Sequence, residues 1–125
     1  MSPRVRVLIA DDEKLFGNAL ELILASDARI DVVGRALDGR QAVLLARELD
    51  PDVVLLDLSM PGVTGFQAIE EMLVENGGRR VVVLSGSADP DDRERARAAG
   101  AVGYLTKERI ADDLVPEVIQ AAERH

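Results

Sequence analysis

The sequence predicts an α/β domain of the doubly wound kind, a five-stranded parallel sheet with helices on both faces. Three observations predict it. Five short apolar runs recur along the chain. They are β-branched and mostly continuous rather than alternating, as expected of strands covered on both faces. Segments of helical period separate them, so that consecutive right-handed crossovers build one sheet.

The first run, VRVLIA at 5 to 10, leads into a helical segment in which Phe16, Ala19, Leu20, Ile23 and Leu24 fall on one face. DVVGRA at 31 to 36 is the second strand, and Asp38 and Gly39 read as a turn before a helix with Ala42, Leu45, Ala46 and Leu49 on its apolar side. DVVLLD at 52 to 57 is the third strand, followed by a helix presenting Phe66, Ile69, Met72 and Leu73. VVVLS at 81 to 85 is the fourth. The segment after it, ADPDDRERARAAGA from Ala88 to Ala101, has only alanines as apolar residues and predicts the most weakly docked helix. VGYLT at 102 to 106 is the fifth strand. The last segment, ERIADDLVPEVIQAAERH, carries Ala111, Leu114, Val115 and Val118 in helical register but is interrupted by Pro116, which has no amide hydrogen and clashes with the preceding turn. This predicts a kink, or a helix whose regular part begins close to Pro116.

With 125 residues, 47% hydrophobic and 30% charged, the chain fits one compact domain spanning 1–125, with no second domain. No apolar run approaches the roughly 20 residues needed to span a bilayer, and MSPRVRVLIADD begins as a strand rather than a signal peptide. A soluble, cytoplasmic protein is expected. Cysteine is absent, which removes disulfide frameworks and thiolate metal sites. A net charge of −8 disfavours nucleic acid binding by this chain alone, and the absence of Trp, with one Tyr and two Phe, rules out base-stacking platforms. No internal repeat, low-complexity tract or linker is visible.

The stretch VVLLDLSMPGVTGFQA, residues 53 to 68, ends a buried-type strand on a carboxylate and dissolves into a Pro and Gly loop. A charge there is costly unless compensated. In open parallel sheets the functional crevice lies beyond the carboxyl ends of the strands. Those ends carry Asp11, Asp12 and Glu13 on the first strand, Asp57 on the third, Ser85 and Gly86 on the fourth, and Thr106 and Lys107 on the fifth. Each has an ordinary alternative. Asp11 or Asp12 can be a helix N-cap, Asp57 can cap a loop, Ser85 can satisfy local backbone groups, and Lys107 can be a solvated charge. The constellation says more than its members. Carboxylates 4 Å apart repel by about 4 kcal/mol per pair at an effective dielectric of 20, so three of them call for a cation. Hard oxygen donors completed by waters describe Mg²⁺ better than zinc or iron.

DD at 11 and 12, DLSMPGVTG from 57 to 65, LSG at 84 to 86 and AGAVGYLTK from 99 to 107 together resemble the receiver domain of bacterial two-component response regulators. The resemblance covers essentially the whole chain, and GYLTK followed by an acidic residue is similar to the NarL/FixJ (LuxR-type) subgroup. It implies a flavodoxin-like sheet of order 2-1-3-4-5 and a phosphorylation switch in two-component signal transduction. Asp57 would be the nucleophile that accepts a phosphoryl group from a phosphohistidine on a sensor histidine kinase, forming an acyl phosphate. Asp12 would bind Mg²⁺ directly, Asp11 through water, and the backbone carbonyl of Ser59 would complete the protein ligands beside Asp57. Lys107 would pair with Asp57 and then with a phosphoryl oxygen. Ser85 would turn toward that group, coupled to Tyr104 on the fifth strand, whose alternative reading is ordinary packing under the alanine-rich helix. The chain would be no enzyme beyond its own phosphotransfer and dephosphorylation.

Several features depart from the family pattern or add little to it. Glu108 stands where many members have Pro, so a trans bond is expected after Lys107. Ser59 and Ser87 lie two residues beyond Asp57 and Ser85, positions that influence dephosphorylation in the family. Gly62 and Gly65 read as serving loop backbone conformation, and Gly86 as leaving the site open. His125, at the terminus, is neither donor nor ligand. Homodimerisation on phosphorylation is implied, with the first, fourth and last helices as candidate surfaces. The subgroup usually carries a C-terminal helix-turn-helix DNA-binding domain, which this chain ends too early to contain, either as an excised receiver or as a single-domain protein.

Three other classes compete. An aspartate-based phosphatase would need a second Asp where Ser59 stands, and a nucleotide-binding module would need a GxxxxGK[ST] or GxGxxG loop that is absent. The remaining alternative is a degenerate receiver acting as a phosphorylation-independent protein-interaction domain.

Overall fold

The computed structural model describes residues 4–59 and 65–123. Five strands, β1 (Val5–Ala10), β2 (Ile30–Ala36), β3 (Val53–Asp57), β4 (Val81–Ser85) and β5 (Gly103–Thr106), form one sheet of order β2-β1-β3-β4-β5. Every neighbouring pair is parallel. Five helices connect and follow the strands: α1 (Lys14–Ala25), α2 (Gly39–Leu49), α3 (Gly65–Glu75), α4 (Pro90–Ala99) and α5 (Ile110–Glu123). The doubly wound architecture expected from the sequence is therefore present.

The period-two geometry of the strands splits the core into two layers. Leu8, Ala10, Val54, Leu56, Val81 and Val83 face α2, α3 and α4, where they meet Ala42, Val43, Ala46, Ile69, Met72 and Ala96. Val7, Ile9, Val53, Leu55, Val82 and Leu84 face Leu20 and Leu24 of α1 and Leu114, Val118 and Ala121 of α5. Both parities of β3 and β4 are buried, which is why these runs are apolar without alternation.

Strand limits differ slightly from the expected ones. Asp52 lies just before β3, where its carboxylate accepts the Arg6 N–H at 2.8 Å. Asp38 is more than a turn residue: its carboxylate caps α2 by accepting the Gln41 N–H at 2.8 Å, while Gln41 accepts the Leu37 N–H at 2.7 Å.

The predicted helix faces need two corrections. Ala19 is exposed, and Gly17 takes the buried place on α1 because the Arg35 side chain lies against it, so close that an added Cβ would stand 2.0 Å from the guanidinium. Ala111 is also exposed, with Ile110 and Ala121 buried instead. The α5 helix is regular from Ile110 and runs through Pro116, so the alternative of a regular part beginning near Pro116 fails. Pro116 and Asp112 both lie on the exposed side, where water reaches the carbonyl that the missing N–H leaves free.

Helix α4 is the weakly docked helix the sequence predicts: Ala96 is its one buried residue. Its ends are well specified, with Asp89 accepting the Asp91 N–H at 2.9 Å, Pro90 opening the first turn and Gly100 closing the helix at φ 112°. Two arginines supplement the docking, Arg93 at 4.7 Å over the Tyr104 ring and Arg95 at 4.5 Å over Phe66. The described residues contain no cis peptide bond, so the bond before Glu108 is trans as expected. No helix among them is long and apolar enough to cross a membrane. Gly62 and His125 lie outside the described residues.

Candidate functional site

Sheet register assembles the site. Ala10 pairs with Leu56, so Asp11 and Asp57, one residue further along each strand, emerge side by side at the carboxyl edge. Asp57 pairs with Leu84 and Ser85 with Thr106, which brings Ser85 and Lys107 to the same edge. Asp11, Asp57, Ser85 and Lys107 therefore share the carboxyl edge of the sheet, beside the switch point between β1 and β3 where order 2-1-3-4-5 reverses.

Asp57 is fully buried and both its oxygens are engaged. Oδ2 accepts from the Lys107 ammonium at 2.9 Å, and Oδ1 accepts from the Ser59 N–H at 3.0 Å and the Ser59 hydroxyl at 2.8 Å. Lys107 is a half-buried cation paired with Asp57 rather than a free surface charge. Its ammonium also lies 3.8 Å from Glu13 and 4.8 Å from the centre of the Phe16 ring. Burial lowers the pKa of Lys107, but the hydrogen bond and charge of Asp57 outweigh it and hold the ammonium above its ordinary value.

Asp11 is almost completely buried. Neither Asp11 nor Asp12 is the N-cap of α1, a place taken by Glu13 without a side-chain cap. Asp11 Oδ1 accepts the Glu13 N–H at 2.7 Å, while Oδ2 is buried with no hydrogen-bond partner. Burial first, and the nearby Asp57 carboxylate next, push the pKa of Asp11 up to about 6 against the lowering effect of the Glu13 N–H. Oxygens of Asp11, Asp12 and Asp57 can lie within 4.8 Å of one another. An orphaned buried carboxylate oxygen among three hard anionic donors fits a small hard cation.

Ser85 and Tyr104 meet through one residue, Ser87. Ser85 Oγ accepts the Ser87 N–H at 3.0 Å, and the Tyr104 hydroxyl donates to the Ser87 carbonyl at 2.7 Å. Tyr104 is thus buried against α4 and hydrogen-bonded to the loop that follows Ser85. A cleft of about 260 Å³ opens above Asp57, lined by Leu58, Ser59, Phe66, Ser85, Gly86 and Asp92 as well. An added Cβ at Gly86 would meet nothing within 4 Å, whereas one at Gly65 would lie 2.7 Å from Leu58 Cδ2. Gly86 borders open space, and Gly65 lies close against Leu58, whose Cα would stand 3.2 Å from an added Cβ.

Sequence reasoning missed the Phe16 ring beside Lys107, the Ser87 carbonyl as the Tyr104 acceptor, the Arg93 stack on Tyr104 and Asp92 in the cleft. The only available signal was helical spacing, which puts Phe16 about one turn beyond Asp12. The arginine contacts and Asp92 depend on how α4 sits, for which an alanine face gives little guide.

The family model described as the response regulator receiver domain matches residues 7–119. The nitrate/nitrite response regulator protein NarL of Escherichia coli (strain K12) is 36% identical over 116 residues, 93% of this chain and 54% of that protein. The transcriptional regulatory protein LiaR of Bacillus subtilis (strain 168) is 36% identical over 120 residues, 96% of this chain and 56% of its own length. This chain spans about half the length of these relatives. Among solved structures, the signal receiver domain of the putative response regulator NarL from Mycobacterium tuberculosis superposes with a TM-score of 0.94 at 32% identity, covering 99% of this chain and 100% of that one. The response regulator domain of Thermotoga maritima CheB gives 0.89 at 30% identity, with 98% of each chain covered.

Proposed function

This chain belongs to the response regulator receiver domain family, and from that premise we propose that it is a phosphorylation-operated switch whose phosphoacceptor is Asp57. The observation that carries the reading is a buried carboxylate at a strand end, held by Lys107 at 2.9 Å and set at the floor of a cleft. A sensor histidine kinase is the proposed donor, and Mg²⁺ the proposed cofactor.

In the proposed transfer an Asp57 oxygen attacks the phosphorus of a phosphohistidine. A P–O bond forms, the P–N bond breaks, and its electron pair stays on the imidazole nitrogen. Ser59 orients the carboxylate through two hydrogen bonds to Oδ1. Lys107 neutralises Oδ2 and then follows the new negative charge onto a phosphoryl oxygen. Asp11, Asp12, Asp57 and the Ser59 carbonyl are the proposed metal ligands; Mg²⁺ held there would neutralise charge on the transferring group. The protein catalyses only its own phosphorylation and dephosphorylation in this scheme.

The signal would leave through Ser85. When its hydroxyl turns to a phosphoryl oxygen it gives up the Ser87 N–H, loosening the residue whose carbonyl Tyr104 holds. Helix α4, with one buried residue, is the element best able to respond. By analogy with relatives named as transcriptional regulatory proteins, the output proposed is transcriptional, with DNA contacted by a helix-turn-helix domain rather than by these residues, in the cytoplasm, and with homodimerisation on phosphorylation as the relay.

Incubation with acetyl phosphate and Mg²⁺, followed by intact mass, tests the reading. One phosphoryl group should be gained, and the gain should disappear with EDTA or in Asp57→Asn. A metal-independent gain, or a gain retained in Asp57→Asn, would refute it.

A further inference from the structure

The cleft above Asp57 contains a second carboxylate that the transfer scheme leaves unused. Asp92, half-buried in the first turn of α4, lines the cleft with Asp57, Ser59, Phe66, Ser85 and Gly86. Lys107 compensates Asp57 from outside that lining. Among the described residues, the charged side chains that line the cleft are therefore both negative. Of the α4 arginines, Arg93 stacks on the Tyr104 ring and Arg97 pairs with Glu94, while Arg95 stacks on the Phe66 ring at the border of the cleft without itself lining it. A helix N-terminus facing a cleft ordinarily attracts an anion, but here Asp91 and Asp92 occupy the first turn and offset the positive end of the helix.

We infer that Asp92 is a specificity-determining residue of the phosphoacceptor site, disfavouring phosphodonors in proportion to their negative charge. The inference rests on the reading of Asp57 as phosphoacceptor. Such a residue selects against small dianionic acyl phosphates and in favour of a protein donor that brings a basic side chain to the mouth of the cleft.

A round cleft of about 260 Å³ is roughly 8 Å across. At that separation, one charge acting on a dianion through water slows entry about fourfold at low ionic strength, and the effect falls to near unity at 0.5 M salt, where the screening length is about 4 Å. Initial phosphorylation rates should be measured for the unsubstituted chain, Asp92→Asn and Asp91→Asn. The donors are acetyl phosphate, a dianion at neutral pH, and phosphoramidate, close to a monoanion. Asp92→Asn should be about fourfold faster with acetyl phosphate and about twofold faster with phosphoramidate at low salt, with both gains lost at 0.5 M salt. Asp91, exposed beside it and outside the cleft lining, should give a smaller gain than Asp92 under the same conditions. Equal rates for Asp92→Asn and the unsubstituted chain would overturn the inference and leave the phosphoacceptor reading standing. So would a gain that is independent of salt or equal for the two donors. If the unsubstituted chain accepts phosphate from neither donor with Mg²⁺ present, the phosphoacceptor reading fails and the inference falls with it.

Discussion

Replacing Asp11 by Asn should stabilise the metal-free protein while abolishing its response to Mg²⁺. Asp11 is buried beside Asp57, has one oxygen without a partner, and has its pKa raised from 3.8 to about 6. A shift of about 2 units corresponds to about 3 kcal/mol at 1.36 kcal/mol per unit. That is an upper bound, since asparagine also suffers burial and makes a weaker bond to the Glu13 N–H. The expected gain is about 1 to 2 kcal/mol at pH 7.5, or about 4 to 8 °C in Tm for a domain of this size. The sign follows from proton uptake. Between the unfolded value of 3.8 and the folded value of about 6, the folded state binds more protons, so stability falls as pH rises through this window. The advantage of Asp11→Asn should therefore be largest above pH 6 and shrink toward pH 4. Thermal melts of both proteins in EDTA, followed by circular dichroism at pH 7.5, 6 and 4.5, measure it directly. Added Mg²⁺ should raise the Tm of the unsubstituted protein and leave the variant nearly unmoved. A variant melting at or below the parent in EDTA at pH 7.5, or a difference independent of pH, would refute the account of this site as a strained carboxylate cluster.

Two further outcomes follow from the geometry. Lys107→Ala should cost about 2 kcal/mol in urea denaturation by leaving Asp57 buried without its counter-ion, less than for a fully buried pair because Lys107 is partly exposed; the cost should largely vanish in the Asp57→Asn background of a double-mutant cycle, and additive effects would argue against the pairing. Tyr104→Phe removes the 2.7 Å bond to the Ser87 carbonyl and should cost about 1 kcal/mol, with hydrogen exchange accelerated in the loop between β4 and α4; protection unchanged there would detach Tyr104 from that loop.

The sequence alone determined the strands, the burial of β3 and β4 on both faces and the identity of the residues at the carboxyl ends. These are local properties: a run such as VVLLD followed by Pro and Gly carries its meaning within a few residues, and β3 and β4 are buried throughout as that pattern requires. Helix faces were legible except at Ala19 and Ala111, both exposed. Ala19 lost its place to Gly17 because Arg35, from an adjacent strand, fills the space above it. Pro116 read as a kink or as the start of the regular helix, yet α5 begins at Ile110 and runs through Pro116, which faces water. The tertiary structure alone decided which atoms meet. Pairing of Ala10 with Leu56 sets Asp11 beside Asp57, Lys107 reaches across from β5, and α4 delivers Asp92 to the cleft and Arg93 to Tyr104. Such contacts join residues far apart in the chain, and their energies depend on distance and burial that no local pattern records.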